Sequence, residues 1–212
     1  MDIHAAIRAK FQVEDDDNLP LTGRAATRDR MAELFAELGS CKGAEIGVGQ
    51  GFYSEILCKA NPNLCLLGID PWVGISTPVR RAIRPENATQ ANLETYGDVD
   101  PLYADAVQRL APYNITLIRA GSIDAVQNIP DASLDFVYID AVHSFDWAMT
   151  DILYWAPKVR LGGIVSGHDF AHYHEYGVVF AVEAYVRAHR ISPWYITNCD
   201  AGPSWLWVKE HN

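Results

Sequence analysis

Short apolar runs and helical periodicities alternate along most of this chain. Ala44–Val48, Cys65–Ile69, Ile115–Ile118, Leu134–Ile139 and Gly163–Ser166 each have the length of a buried strand. Phe52–Ala60, Pro101–Leu110, Phe145–Val159 and Val178–Ala188 carry helical spacing between and after them. That alternation predicts a parallel sheet with helices on both faces. Two aromatic-rich runs follow, Trp194–Asn198 and Trp205–Val208, joined through Asp200-Ala-Gly-Pro203. They predict an antiparallel hairpin at the end of the sheet, bringing the expected strand count to seven.

Residues 1–40 read differently, as a helical N-terminal extension preceding a single domain over 41–212. Ile3, Ile7 and Phe11 recur every four positions. Met31, Leu34, Phe35 and Leu38 repeat at helical spacing after Thr27, a residue suited to an N-cap. Between these helices, Glu14 to Pro20 is a charged breaker without the spaced ligands or glycine of a calcium loop. A second departure from the rhythm is the Pro-, Gly- and Asn-rich stretch at about 71–100, which contains Arg80, Arg81 and Arg84. An insertion at a strand-to-helix junction lies beside the ligand crevice of such a sheet, as a lid, a substrate element or a surface excursion.

Composition narrows the classes. The chain's 212 residues suffice for one full α/β core, and 49% hydrophobic content is that of a globular protein. A formal net charge of -10 argues against a nucleic-acid partner, which needs a basic face. No apolar run approaches the ~20 residues that span a bilayer, and Met1 to Arg8 carries charge where a signal peptide is apolar. Cys41, Cys58, Cys65 and Cys199 form no close pairs and read as free thiols. A cytoplasmic protein acting on a small molecule, without membrane or nucleic-acid partners, is expected; a homo-oligomer is compatible with all of this.

Candidate chemistry starts at Gly43-Ala-Glu-Ile-Gly-Val-Gly-Gln-Gly-Phe-Tyr-Ser54. Gly47, Gly49 and Gly51 lie where a strand passes into a helix, so a ligand can rest on bare backbone near free helix N–H groups. Glu45 is an acid aimed near the same place. Asp70 ends the next strand, where a nucleotide fold places a carboxylate for ribose hydroxyls. Gly121 and Ser122 end the third and suit approach to a planar base, with Asp124 in reach of an amino group. Trp72 and Tyr53 are aromatic candidates to flank base or substrate, or simply to pack.

The fourth strand ends at Asp140, with His143 three residues on, and the fifth ends at His168-Asp169, followed by His172 and His174. Parallel neighbours would bring Asp140, His168 and Asp169 to one edge as ligands for a divalent ion. Mg²⁺ or Mn²⁺ would suit a mainly oxygen set, and Zn²⁺ or Fe²⁺ a set with several imidazoles. His143 is the candidate general base, its ordinary pKa being near neutrality.

With these residues in place, residues 40–209 resemble a class I S-adenosylmethionine-dependent methyltransferase. Glu45-Ile-Gly-Val-Gly-Gln-Gly51 is similar to that family's first motif, Asp70 to its ribose-binding acid, and Gly121-Ser122 to its adenine contact. More narrowly, Tyr138-Ile-Asp-Ala-Val-His-Ser-Phe145 and Gly162-Gly-Ile-Val-Ser-Gly-His-Asp169 resemble the I-D-x-x-H-S-[YF] and G-G-x-x-x-G-H-D signatures of a small-molecule subfamily. The resemblance implies a Rossmann-like, doubly wound, mostly parallel sheet, with S-adenosylmethionine as cofactor. Its contacts would be Glu45, Gly47, Gly49, Gly51, Tyr53, Asp70, Trp72, Gly121, Ser122 and Asp140. Metal-dependent O-methyltransferases place carboxylate or amide ligands at the same two strand ends; His168 stands here where a carboxylate is usual. Methyl transfer to an oxygen, less readily a nitrogen, of a sugar or natural product is the implied reaction, with Asp140 and His143 catalytic. A nicotinamide-dependent oxidoreductase, a metal-dependent hydroxylase and a non-catalytic binding protein are the competing expectations.

Overall fold

The computed structural model describes residues 2–14, 19–72, 101–172, 177–198 and 202–211. Most of the 71–100 insertion, including Arg80, Arg81 and Arg84, lies outside them, as do His174, Cys199 and Asp200. In chain order the elements are α1 (Ile3–Phe11), β1 (Leu21–Thr22), α2 (Arg28–Glu37), β2 (Lys42–Ile46), α3 (Phe52–Ala60) and β3 (Cys65–Asp70). After the insertion come α4 (Pro101–Leu110), β4 (Ile115–Arg119), α5 (Ser122–Val126), β5 (Leu134–Ile139), α6 (Phe145–Trp155) and β6 (Val159–Gly167). The chain closes with α7 (Val178–Ala188), β7 (Trp194–Ile196) and β8 (Trp205–Val208).

The strands form one sheet in the order β1-β7-β8-β6-β5-β2-β3-β4. All pairs are parallel except those of β8 with β6 and with β7. The doubly wound sheet and reversed hairpin match the pattern of apolar runs. The sheet has eight strands rather than seven, because the N-terminal extension adds β1 beside β7. Two residues after a proline are too few to show strand alternation, so this edge strand is invisible to periodicity.

Successive residues of β5 face opposite layers, as a pleated strand requires. Phe136 and Tyr138 pack with Ile7, Phe11, Phe35, Tyr53 and Leu57 of α1, α2 and α3. Val137 and Ile139 pack with Ile152, Trp155, Val178 and Val182 of α6 and α7. The N-terminal helices are thus part of the core rather than an appendage. Thr27 caps α2 as its position suggested, its hydroxyl accepting from Arg30 N at 3.2 Å. The helix expected over Phe145–Val159 stops at Trp155. Ala156–Lys158 tightens into a 3-10 turn around Pro157, which lacks the N–H for another α-turn.

Strand order decides where a ligand can sit. The chain winds outward from β2 through β3 to β4, then returns to place β5 on the other side of β2. The C-terminal ends of β2 and β5 therefore diverge at a topological switch point, the usual crevice of an open α/β sheet. Asp140 N donates to Ile46 O at 2.7 Å across that point, and Gly47 N to Ile69 O at 2.8 Å.

Candidate active site

The glycine loop closes the crevice from below. Gly47 has φ +94°, and a Cβ there would strike the Asp140 carbonyl oxygen, so only glycine lets the two strand ends approach. Gly49, at φ +54°, has the opposite surroundings, with no atom of the described residues within 4 Å of the place a Cβ would take. Gly51 caps α3 with no side-chain hydrogen bond at the helix N-terminus.

Asp70 organises this loop. Its Oδ2 accepts from Gly49 N at 2.9 Å and its Oδ1 from Trp72 N at 2.7 Å. Trp72 Nε1 returns to Gly49 O at 2.7 Å, closing a ring between β3 and the loop. Trp72 is buried, in a left-handed conformation with φ +43°, and packs on Tyr103. A bulky residue in that region is held there by its surroundings, here by the Asp70 and Gly49 bonds.

Three expected cofactor contacts turn inward instead. Glu45 is 1% exposed beneath the loop and accepts a short hydrogen bond from the Ser54 hydroxyl. Burial raises its pKa to about 8, against the opposing pull of Ser54, so it is protonated at neutral pH. Tyr53 is buried too, its hydroxyl donating to Arg28 O at 3.2 Å. The Ser122 hydroxyl donates to the buried Asp151 carboxylate and accepts from Trp155 Nε1 at 2.8 Å. Burial lifts Asp151 to about 7, with the Ser122 bond opposing. Strand and helix ends were legible, but side-chain direction depends on which buried partner stands opposite. Gly121 caps α5, where an added Cβ would meet, among the described residues, Asp124 Oδ2 at an ordinary 3.6 Å.

The other side of the crevice gathers the charged groups. Asp140, His143 and Asp169 each offer a ligand atom, all within 4.8 Å of one another. His143 Nε2 lies 2.8 Å from Asp169 Oδ2 and 3.9 Å from Asp140 Oδ1. His168 Nδ1 lies 3.2 Å from Asp169 Oδ1 and 3.9 Å from Asp140 Oδ1. His143 thus converges with the two carboxylates, and His168, the imidazole expected from the strand ends, lies against the same pair. Asp169 is left-handed, with φ +56°, at the turn out of β6, so its carboxylate spans the two histidines rather than continuing the strand. His172 is exposed, its ring edge-on to Phe180.

Two oxygens and one imidazole nitrogen suit Mn²⁺, Fe²⁺ or Zn²⁺ better than Mg²⁺, which prefers an all-oxygen shell. His143 departs from its expected role as a base. Burial opposes its charge, yet hydrogen bonding and attraction to Asp140 and Asp169 prevail and raise its pKa to about 9. It carries a proton at neutral pH. Burial acts against the Asp169 charge as well, but both histidines hold that carboxyl well below the usual range.

Arg28, from the N-terminal extension, completes the edge. Its Nη2 donates to Asp140 Oδ2 at 2.9 Å, and its guanidinium lies 4.2 Å from the Tyr53 ring centroid and 5.3 Å from that of Tyr138. Sequence reasoning passed over it. A cue was present, since a cation in the first turn of a helix opposes the macrodipole and calls for a partner elsewhere.

Residues 44–170 match a family described as Methyltransferase domain, more than half of the chain. The chain belongs to this methyltransferase family. The matched span runs from β2 past Asp169, so it contains both sides of the crevice, while Arg28 falls outside it. No curated protein matches the sequence. Among solved structures, the O-methyltransferase NovP superposes with a TM-score of 0.62 at 14% identity, over 87% of this chain and 78% of that one. TomG of Streptomyces achromogenes, an O-methyltransferase of tomaymycin synthesis in complex with SAM, gives 0.56 at 16% identity, over 99% of both chains. An O-methyltransferase from Bacillus cereus in complex with SAH gives 0.58 at 13% identity, over 98% and 90%. At such identities the likeness is one of fold, and it extends through the N-terminal helices of this methyltransferase.

Proposed function

We propose that this methyltransferase moves a methyl group from S-adenosylmethionine to a hydroxyl oxygen of a small molecule. The observation that carries the reading is contiguity. The Gly47 backbone of the glycine loop touches the Asp140 backbone, so a cofactor cradle and a charged acceptor edge share one crevice. The similar folds named above include O-methyltransferases holding SAM or SAH, which supports both the cofactor and the oxygen acceptor.

The bound cofactor supplies a sulfonium methyl group, which the acceptor oxygen takes as it loses its proton and the sulfur leaves as a neutral thioether. The protein's part is to hold the two reactants in line and to receive that proton. Asp70 and the side-chain-free turn at Gly49 would border the nucleoside side. Asp140 Oδ1, the oxygen that Arg28 does not engage, faces the acceptor edge with Asp169 and receives the hydroxyl. His143, protonated at neutral pH, keeps the two carboxylates oriented and becomes a base only as pH rises towards 9. Asp140 and Asp169, with His143 once it gives up its proton, would hold a divalent ion, whose chemistry there would be to lower the acceptor hydroxyl's pKa.

The test is methyl transfer from tritium-labelled S-adenosylmethionine across a panel of catechols, phenols and sugars, with and without added Mn²⁺. Label in an O-methyl product is the expected result. Binding of S-adenosylmethionine with label appearing only in N-methyl products would overturn the oxygen acceptor. Absence of binding would overturn the cofactor.

A further inference from the structure

We propose that Arg28 is a positioning residue of the acceptor edge, acting through Asp140, so that the N-terminal extension is part of the active site. This rests on the reading of the Asp140 edge as the place of methyl transfer. Arg28 lies 112 residues before Asp140 and outside the matched methyltransferase span, yet the two side chains meet at 2.9 Å.

The geometry divides the Asp140 carboxylate. Arg28 holds Oδ2, whereas Oδ1 faces His143 Nε2 and His168 Nδ1, both at 3.9 Å. A carboxylate free to rotate would present either oxygen or both. With Oδ2 engaged, one oxygen is directed into the crevice at a fixed angle. The guanidinium is itself held, because the Tyr53 and Tyr138 rings lie against it and the Tyr53 hydroxyl donates to the Arg28 carbonyl. Arginine suits this place because its planar group can stack on rings while donating in its own plane. Lysine keeps the charge without that plane.

Tyr53 is the second residue of α3, directly after the glycine loop. A chain of contacts therefore runs from the helix that starts at Gly51, through Tyr53 and Arg28, to Asp140. It sets the acceptor edge relative to the cradle independently of the backbone contact at Gly47. If Arg28 served only to pin the extension to the core, removing it would change stability and leave the Asp140 neighbourhood as it was.

The experiment uses the full chain as wild type, Arg28→Gln, Arg28→Lys and Arg30→Gln. The last variant removes a bond from the same helix to Lys10 O at 2.9 Å, remote from the site. The deciding readout is the imidazole nitrogen–proton spectrum of His143 and His168 at one fixed pH. Alongside it, calorimetry measures S-adenosylmethionine affinity. Arg28→Gln is expected to shift both histidine signals, Arg28→Lys to restore part of the wild-type position, and Arg30→Gln to leave them in place. Affinity should stay within about twofold throughout, since the cradle is untouched. Unmoved histidine signals in Arg28→Gln, or equal shifts in Arg30→Gln, would overturn the proposal. If Arg28→Gln fails to fold, Arg28→Lys decides by the same signals, with a wholly unshifted spectrum counting against the planar hold. Failure of wild type to bind S-adenosylmethionine would instead refute the proposed cofactor, leaving the spectral result to stand on its own.

Discussion

The two sides of the crevice are built in different ways. The cradle is local: Gly47, Gly49, Gly51, Asp70 and Trp72 come from two adjacent strands and their loops, and most of its bonds are to backbone. The proposed acceptor edge is assembled from distant segments, with Arg28, Asp140, His143, His168 and Asp169 meeting through side chains. Backbone-built recognition depends on a few residues without side chains and on one carboxylate. Side-chain-built chemistry depends on the direction and charge of every member, so single substitutions should act on it more sharply.

The largest expected effect is on the acceptor edge. Asp169→Asn keeps a residue that tolerates the left-handed turn but removes the charge that both histidines face. Turnover should fall by roughly 10²-fold or more. Near-normal turnover, measured by S-adenosylhomocysteine release, would show that the edge does not carry the chemistry. Asp70→Ala tests the cradle. The amides of Gly49 and Trp72 lose their acceptor, so their hydrogen exchange should accelerate while that of β5 stays slow. Protection of both amides at the wild-type level would mean that Asp70 does not order the loop.

Stability against pH separates the two sides next. His143 has a folded pKa near 9 against an ordinary 6.5, so its stabilisation is complete below 6.5 and lost as pH rises through 9. Asp169 is depressed, so its contribution is present above about 3.8 and lost as pH falls further. Glu45 has the opposite sign to Asp169. Its pKa is raised from 4.5 to about 8, so it destabilises progressively between those values as the unfolded chain ionises first. Glu45→Gln should thus be more stable than wild type above pH 8, with the difference vanishing below pH 4.5. Urea titrations at pH 4.5, 6.5 and 9 would check this, and a constant difference across all three would refute the buried neutral carboxyl. The smallest effect belongs to Ser122→Ala. Its hydroxyl is turned to Asp151, so cofactor affinity should change little, while leaving Asp151 without that donor costs about 1–3 kcal/mol in urea unfolding. A large loss of affinity with unchanged stability would restore Ser122 to the cofactor.

Legibility in the sequence follows the same division. Glycines between a strand and a helix, with an acid at the next strand end, are contiguous signals, and the loop that Asp70 orders is legible in them. Strand ends also placed Asp140 and Asp169 on one edge, because parallel neighbours end together. That both His143 and His168 meet these carboxylates depends on the turn at Asp169 and on side-chain direction, which the sequence pattern does not carry. Arg28 was hidden for a different reason: periodicity describes local structure and says nothing of a contact spanning 112 residues. Glu45, Tyr53 and Ser122 stand at positions that suit ligand contact, whereas the partners Ser54, Tyr138 and Asp151 hold their side chains inward, a direction that position alone does not give.

Isothermal titration of S-adenosylmethionine into wild type, Asp70→Ala and Asp169→Asn would examine the separation of cradle from acceptor edge in one experiment. Asp70→Ala should weaken binding by roughly tenfold or more, about 1.4 kcal/mol, and Asp169→Asn should bind like wild type while failing to turn over. Equal affinities in all three proteins, or loss of binding in Asp169→Asn alone, would contradict it.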